Sequence, residues 1–252
     1  MKKSLLIPLT LFLVLTLVFL WGVTFYPWDA SLPSGDSLQP PSASHWLGTD
    51  NLGVDVFAQI SAGFFRSMGI GVMTALCTFL LGGGLGTAAG LLGGWVDHAI
   101  GLLIQIFLSI PQLPVMIVLG AFLGQNTWNI IWILCLFSWA PRAKPRSVCH
   151  RPYVAMAKVY GGGLWYLIRT HLAGDLLPLL SVNALGVVGK SILQESSLSF
   201  LGLSDPLARS WGLMIARATQ FPGIYRTSFW LWWLVSTLLL RLMVQAIQLP
   251  KS

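Results

Sequence analysis

The stretch SMGIGVMTALCTFLLGGGLGTAAGLLGGW, residues 67–95, decides the fold class because it is apolar throughout and contains no charged residue. It is longer than the roughly 20 residues that a helix needs to cross a bilayer. The whole chain has a similar character, since hydrophobic residues make up 55% of it and charged residues only 9%. A soluble domain carries roughly 25% charged residues, so the apolar excess must face lipid. The sequence therefore predicts an integral membrane protein of the all-α class.

Glycines repeat at every fourth position of this stretch, and on a helix they lie along one ridge. Such a ridge lets a neighbouring helix approach closely, so we expect it to be a helix-packing surface. A phosphate-binding glycine loop is excluded because no Gly-Lys-Ser/Thr sequence follows. A short break at Asp97-His98 is predicted to end the block. The ridge consists of Gly82, Gly86, Gly90 and Gly94.

Five further apolar blocks bring the prediction to a bundle of about six transmembrane helices. The first follows Lys2 and Lys3 and ends at Trp28; it exceeds the apolar region of a signal peptide, roughly 7–15 residues, and is interpreted as an uncleaved helix. Pro111 and Pro114 fall inside the third block, which we expect them to kink. The six blocks lie at about residues 5–28, 67–95, 100–124, 128–140, 176–201 and 227–247.

The distribution of Lys and Arg predicts which loops face the cytoplasm. Residues 29–64 contain several Asp, Pro and Ser but no Lys or Arg, whereas residues 141–175 are strongly basic. Because positive residues concentrate in cytoplasmic loops, both termini and the 141–175 loop are predicted to be cytoplasmic and residues 29–64 extracytoplasmic. Residues 202–226 carry three Arg on the predicted outer side and are an exception. The basic residues on the predicted inner side are Lys2, Lys3, Arg142, Lys144, Arg146, Arg151, Lys158 and Arg169.

No catalytic or metal-binding set is visible in the sequence. The histidines are spread over three loops, the cysteines are not spaced as a metal or redox motif, and no nucleotide-binding loop is present. Asp50 and Asp55 are expected to order their loop rather than to bind a metal. We therefore expect a protein that is not an enzyme and binds no cofactor or metal itself. The histidines are His45, His98, His150 and His171, and the cysteines, interpreted as structural, are Cys77, Cys135 and Cys149.

The predicted cytoplasmic segment 153–174 contains two short helical stretches around a glycine cluster. A helix–turn–helix with Ala on one face suits docking into a groove of a partner, although a plain connecting loop is the alternative. The segment resembles the EAA coupling loop of ABC importer permeases, with Ala155 where that motif has Glu. By this resemblance, the residues predicted to contact the ATPases are Ala155, Ala157, Lys158, Gly161, Trp165 and Arg169.

Two more stretches strengthen the resemblance. Residues 47–55, LGTDNLGVD, resemble the Leu-Gly-Thr-Asp-x-x-Gly-Arg-Asp signature of the dipeptide/oligopeptide/nickel permease family, with Val54 in place of its Arg. Residues 195–203, ESSLSFLGL, are similar to the Glu-x-Ser-Leu-Ser-Phe-Leu-Gly-Leu of that family, and its Ser-Trp-Gly follows at 210–212. The tail from Arg241 onward lacks the Asn and Gly-Asp that the family usually has there.

The resemblance implies a second-permease (C-type) subunit of an ABC importer in the bacterial inner membrane. Its expected partners are a homologous permease, two ABC ATPases that use ATP and Mg, and an extracytoplasmic substrate-binding protein, but no nucleic acid. The chain would comprise an N-terminal helix with its outer loop, residues 1–64, and the permease domain, 65–252, with its coupling loop at 142–175. Short peptides and nickel, free or chelated, remain equally open as substrates.

Two charged residues, Lys190 and Glu195, fall within the fifth predicted helix. A charge at the centre of a bilayer costs roughly 2.5–3.5 kcal/mol, so such residues usually face protein or water. With Gln194 and Ser197, Glu195 is a candidate to line the translocation pathway. The alternative is that Glu195 holds the outer turn of the helix in place.

Two other functions compete with this interpretation. A secondary transporter or channel would act without an ATPase, but it predicts more spans and several ionisable groups in the membrane. A degenerate permease would assemble and transport poorly, which the substitutions at Ala155 and Val54 and the altered tail keep open.

Overall fold

The computed structural model describes residues 2–140, 149, 152–160, 163, 166–207 and 209–220. Within these ranges the chain is helical apart from loops and two isolated β-bridges, so the predicted all-α class is confirmed. A π-helical segment at Leu167–Leu172 leads into the seventh helix. The helices are α1 Lys2–Thr24, α2 Val56–Leu92, α3 Gly94–Ser109, α4 Gln112–Leu123, α5 Thr127–Ser138, α6 Pro152–Val159, α7 Ala173–Phe200 and α8 Trp211–Gln220.

Helix α2 is the central element and contacts α1, α3, α5, α7 and α8. Its 37 residues make a helix roughly 55 Å long at 1.5 Å per residue. It begins at Val56, well before the predicted start of the apolar block at residue 67. The early start has a physical reason: Asp55 caps the helix, and Ile60 and Phe64 in its first turns pack in a core cluster with Trp211 of α8.

Helices α1 and α7 both run antiparallel to α2. The Phe19 and Phe64 rings pack with centroids 5.0 Å apart, and further along α1 Gly22 lies against Ser61, earlier in α2. The same order applies to α7, because Gly71 of α2 faces Val188 and Ile192 whereas Gly83 faces Leu180. A Cβ atom at Gly71 would come within 3.1 Å of Ile192, so close packing of α2 on α7 favours glycine at this position.

The predicted glycine ridge is only partly one helix face. Gly82, Gly86 and Gly90 are buried on α2, but that helix ends at Leu92, so Gly94 lies beyond it and is exposed. The break arises because Gly93 and Gly94 adopt φ angles of 63° and 55°, which L-residues rarely reach. The break predicted at Asp97-His98 was therefore placed too late, since both residues lie within α3.

A bend of 90° separates α3 from α4 at Ile110-Pro111. Pro111 is the N-cap of α4, and Pro114 lies in the first turn of α4. The backbone N–H groups of a first turn have no acceptor within the helix, so a proline at this position removes no helical hydrogen bond. The predicted kink in the third block is therefore present at Pro111. No kink is present at Pro114, which lies within the regular helix α4.

The described residues contain one helix, α2, that is long and apolar enough to cross a membrane by itself. The bent pair α3–α4 would form a second span if taken together, and residues 12–24 of α1 and helix α5 are shorter apolar segments. The predicted last span, residues 227–247, the C-terminal tail and most of the basic residues of the 141–175 loop lie outside the described residues.

The two ends of α2 contact different parts of the chain. The residue 25–55 loop packs at the N-terminus, where Tyr26 stacks edge-on against Phe57 at 5.0 Å. At the C-terminus, Leu91 belongs to a core cluster with Val154 of α6 and Leu167 of the π-helical segment. The loop and α6 therefore lie at opposite ends of a helix that exceeds the thickness of a bilayer core.

Candidate functional site

The motif at residues 47–55 builds an ordered loop around Asp50. One carboxylate oxygen of Asp50 accepts hydrogen bonds from the backbone N–H groups of Leu52 and Val54 at 2.8 and 2.9 Å. The other accepts from the side-chain amide of Gln59 at 2.8 Å, which links the loop to α2. Val54, where the resembling signature has Arg, is buried and forms a β-bridge with Pro33. This half of the motif is structural.

Asp55 is a second buried acceptor, and its side chain is 0% exposed. It accepts from the backbone N–H of Ala58 at 2.9 Å as the N-cap of α2, and from the hydroxyl of Tyr26 at 3.1 Å. Its Oδ2 also lies 2.8 Å from Nδ1 of His45, whose ring stacks on Trp28. Burial, with the nearby Asp55 carboxylate, raises the pKa of Tyr26 to about 12. Both Asp residues therefore order the loop as hydrogen-bond acceptors.

The motifs at 195–203 and 210–212 pack against each other and against α2. The indole N–H of Trp211 donates to the backbone carbonyl of Ile60 at 3.0 Å, and Gly63 lies directly under the indole ring. Gly212 approaches the backbone of Ser196 so closely that a Cβ atom would lie 2.3 Å from its carbonyl oxygen. These contacts explain why Trp and Gly are adjacent at this position.

Glu195 lies inside this packed unit and is 1% exposed. Its carboxylate accepts from the hydroxyl of Ser199 one turn later at 2.6 Å, and from that of Ser67 on α2 at 3.4 Å. The Ser67 contact joins α7 to α2, and the Ser199 contact lies within α7, which is the arrangement expected of a residue that holds the end of α7 in place.

The three predicted pathway residues point in different directions. Gln194 is buried and faces α4, Glu195 faces α2, and Ser197 is exposed and bonds only the carbonyl of Leu193 one turn back. Gln194 and Ser197, three positions apart, differ by about 60° in direction, and Glu195 lies about 100° from Gln194 on the other side, so the three positions span about 160° of the helix. The structure brings Gln194 into a polar group with residues that the pathway prediction did not include.

That group, called the Gln112 cluster here, consists of Gln112, Lys190 and Gln194. The ammonium Nζ of Lys190 donates to Oε1 of Gln112 at 2.8 Å, and the amide of Gln194 donates to the same oxygen at 3.4 Å. Gln194 also contacts the sulfur of Met116 at 3.8 Å, whereas its own Oε1 is buried and accepts no hydrogen bond. Gln112 could have been noticed in the sequence, because it is a polar residue directly after Pro111 inside an apolar block.

The segment predicted to couple to ATPases is described in part. Val154 is fully buried and Ala157 packs partly against the same core cluster, so these residues hold α6 on α2 and α7. The opposite side of α6 presents Met156, Val159 and Tyr160 to the surface. Of the predicted contact residues, Gly161 and Trp165 lie outside the described residues, and only the backbone is described for Ala155, Lys158 and Arg169.

An open apolar groove of about 460 Å³ runs along the second half of α2. Gly83, Gly84 and Thr87 form part of its floor, and Ile168 and Leu180 form one wall. Across the described ranges, no three His, Cys, Asp or Glu side chains come together as a metal site, and Cys77, Cys135 and Cys149 form no disulfide bond.

Comparison with known proteins places these features in context. No family model matches the chain. It is 32% identical to the probable D,D-dipeptide transport system permease protein DdpC of Escherichia coli (strain K12), over 82% of this chain and 74% of that protein. It is 34% identical to the nickel transport system permease protein NikC of the same strain, over 86% and 79%. It is 33% identical to a putative peptide permease of Brucella suis biovar 1, over 83% and 75%.

Proposed function

This chain belongs to the dipeptide/oligopeptide/nickel family of ABC importer permeases, and from that membership we propose that it is one of two membrane-spanning subunits of an ATP-driven importer of short peptides or nickel. The observation that carries the proposal is identity of 32–34% to dipeptide, nickel and peptide transport permeases over at least 82% of the chain.

The proposed architecture is a bundle of about six transmembrane helices in the bacterial inner membrane. The antiparallel packing of α1 and α7 on α2 supports it, because antiparallel neighbours are expected when successive spans return across a bilayer. The bent pair α3–α4, helix α5 and the apolar block at 227–247 supply the remaining spans of this proposal.

The proposed orientation puts α6 and both termini in the cytoplasm and the 25–55 loop outside. Two observations support it together: α6 and the loop lie at opposite ends of α2, and the Lys and Arg residues concentrate around α6. Since positive residues favour the cytoplasmic side, the end that carries α6 is the inner one.

In the proposed mechanism, α6 is the docking element for a partner ATPase. Its exposed apolar side, which includes Met156 and Val159, suits a groove on a partner, while its buried side is joined to α2 and α7 through Val154. Closure of the ATPases on ATP would push α6, and the shared core cluster would pass the motion to the helices, which alternate between outward and inward access. Ala155, Lys158, Gly161, Trp165 and Arg169 remain the proposed contact region, whereas Ala157 packs partly against the core side of α6.

The proposal assigns the nucleotide chemistry to other subunits. A homologous permease would pair with this chain, two ATPases would use ATP and Mg, and a binding protein would deliver substrate from outside. This division of roles follows from the family, and the names of the relatives as transport system components support it.

Reconstitution tests the proposal. The chain, assembled in proteoliposomes with the second permease and ATPases from its gene neighbourhood, is expected to accumulate dipeptide or nickel when ATP and the binding protein are present. The matched control replaces the catalytic Glu of the ATPases and should abolish accumulation. Equal uptake by the chain without ATPases would contradict the proposal and favour a secondary transporter.

A further inference from the structure

We propose that the Gln112 cluster is a binding site for the carboxylate group of the transported substrate, at the break between α3 and α4. The inference rests on the proposed importer function, and it adds where the substrate binds and which chemical group is recognised. Two features of the cluster, a cation with a helix N-terminus and a buried unpartnered acceptor, lead to it independently.

The first feature is the position of Lys190 within α7. Lys190 lies ten residues before the end of α7 at Phe200, a distance of roughly 15 Å along the helix axis. That is about half of a hydrocarbon core roughly 30 Å thick. A charged residue near the middle of a membrane usually serves an ion or substrate pathway, because the cost of its burial needs a functional compensation.

The broken helix adds a second source of positive potential at the same place. Helix α4 has 12 residues and starts at Gln112, directly beside the ammonium group of Lys190. Its N-cap is Pro111, whose side chain cannot accept a hydrogen bond from the first N–H groups of the helix. The N-terminus of a helix attracts anions through these N–H groups and the helix dipole, and interrupted membrane helices use it for substrate carboxylates.

Glu195 and Lys190 lie on different sides of α7. The two residues are five positions apart, which places them about 140° apart around the helix. The carboxylate of Glu195 is bonded to Ser199 and Ser67 on the α2 side, whereas Lys190 faces α4. The acid and the base of α7 therefore face two separate environments.

The second feature is the unpartnered acceptor of Gln194. This side chain is 8% exposed, its amide N–H donates into the cluster, and its Oε1 is buried without a hydrogen-bond partner. A buried amide oxygen without a donor costs about 1–3 kcal/mol, so a donor that arrives with a ligand would relieve this cost.

The side-chain oxygen of Gln112 already shows how a ligand would be held. It accepts from both Lys190 and Gln194, which is the pair of bonds that one carboxylate oxygen would accept after Gln112 moves aside. The orphan Oε1 of Gln194 then accepts the N–H next to that carboxylate. A carboxylate with an adjacent N–H is the C-terminal group of a peptide, and carboxylate chelators of nickel share the anionic part.

The test compares substrates with and without the carboxylate in the reconstituted importer. The wild type is expected to prefer a dipeptide over the same dipeptide with a C-terminal amide. Lys190→Met should raise the apparent KM for the free acid about 10- to 100-fold, the range for losing one hydrogen bond to a charged group, and leave the amide unchanged. Lys190→Arg should retain most of the preference. A parallel experiment measures uptake of nickel with and without a carboxylate chelator. It distinguishes the two sources of the carboxylate, which are a peptide C-terminus and a nickel chelator.

Two further variants keep the test decisive. Arg217→Gln removes one positive charge outside the cluster and should change none of these values. Gln194→Leu keeps Lys190 and removes the orphan acceptor, so it should raise KM for both the acid and the amide, which share the last peptide N–H; it also provides a result if Lys190→Met fails to insert.

The outcomes separate the inference from the proposed function. If the importer moves dipeptide and Lys190→Met leaves KM and the acid-over-amide preference unchanged, the site is refuted while the importer stands. Transport of free nickel alone, unaffected by Lys190→Met, refutes it equally. Absence of any ATP-dependent uptake by the wild type refutes both.

Discussion

Single buried side chains determine the conformation of the loop before α2. Asp50 and Asp55 lie in a sequence with several turn-forming residues, and each carboxylate has three hydrogen-bond contacts, two within the 25–55 loop and one to α2. Such side chains are costly to truncate, since the remaining donors stay buried without partners. The residue at position 54 is different: a buried Val there needs no charged partner.

Replacing Asp55 with Ala should destabilise the protein by about 3 kcal/mol or more. The change removes the N-cap of α2, worth about 1 kcal/mol, and leaves the buried hydroxyl of Tyr26 and the ring of His45 without their acceptor. Unfolding of the detergent-solubilised protein, followed by tryptophan fluorescence, measures the loss. Asp29→Ala is the matched control, because Asp29 is exposed, and it should change stability by less than about 0.5 kcal/mol. Equal stability of the two variants would show that Asp55 does not organise the loop.

At the scale of elements, the two sides of α6 have separate roles. One side is buried on the ends of α2 and α7, and the other has apolar residues without a partner in the described part of the chain. Tyr160, just after the helix, is 82% exposed and extends this apolar side. A partner that covers this side would explain the arrangement.

A charge on the exposed side of α6 should disrupt coupling without unfolding the bundle. Val159→Asp is expected to lower both ATPase co-purification and uptake about tenfold or more, because a carboxylate would have to be desolvated in an apolar contact. Leu207→Asp is the control: Leu207 is similarly exposed but follows α7 at the other end of the protein. It should leave ATPase co-purification unchanged. Normal co-purification of the Val159 variant would exclude α6 as the docking element.

At the scale of the whole molecule, α2 connects the end of the protein that carries the 25–55 loop with the end that carries α6. The 25–55 loop packs on its first turns and α6 on its last, while α1 and α7 run antiparallel to it. A single continuous helix therefore connects the region where substrate would be delivered with the region where ATPases would bind.

Cysteine labelling tests this arrangement across the membrane. In a chain whose three native cysteines are replaced, Ser37→Cys should react with a membrane-impermeant maleimide in intact spheroplasts, and Tyr160→Cys only in everted vesicles. Both positions are exposed, so access by the reagent depends on the side of the membrane. The cysteine-free chain serves as the control. Labelling of both positions from one side would contradict the proposed orientation.

The sequence alone determined the properties that depend on local composition. Apolar blocks predict membrane helices because each residue contributes its own transfer free energy, and the break at Pro111 follows from the geometry of proline. The three motifs indicated the permease family, which the relatives confirm. Boundaries were less certain, since Val56 starts α2 through a cap and packing partners that no local pattern contains.

Only the tertiary structure decided which polar residues act together. Gln194 and Glu195 are neighbours in the sequence, yet one meets α4 and the other α2, because direction around a helix is set by what packs against it. Likewise, Gln112 and Lys190 are far apart in the chain and come together only because α4 breaks away from α3 and lies against α7. The composition of a segment determines whether it lies in lipid or in water. The contacts between distant segments determine which polar side chains form a site.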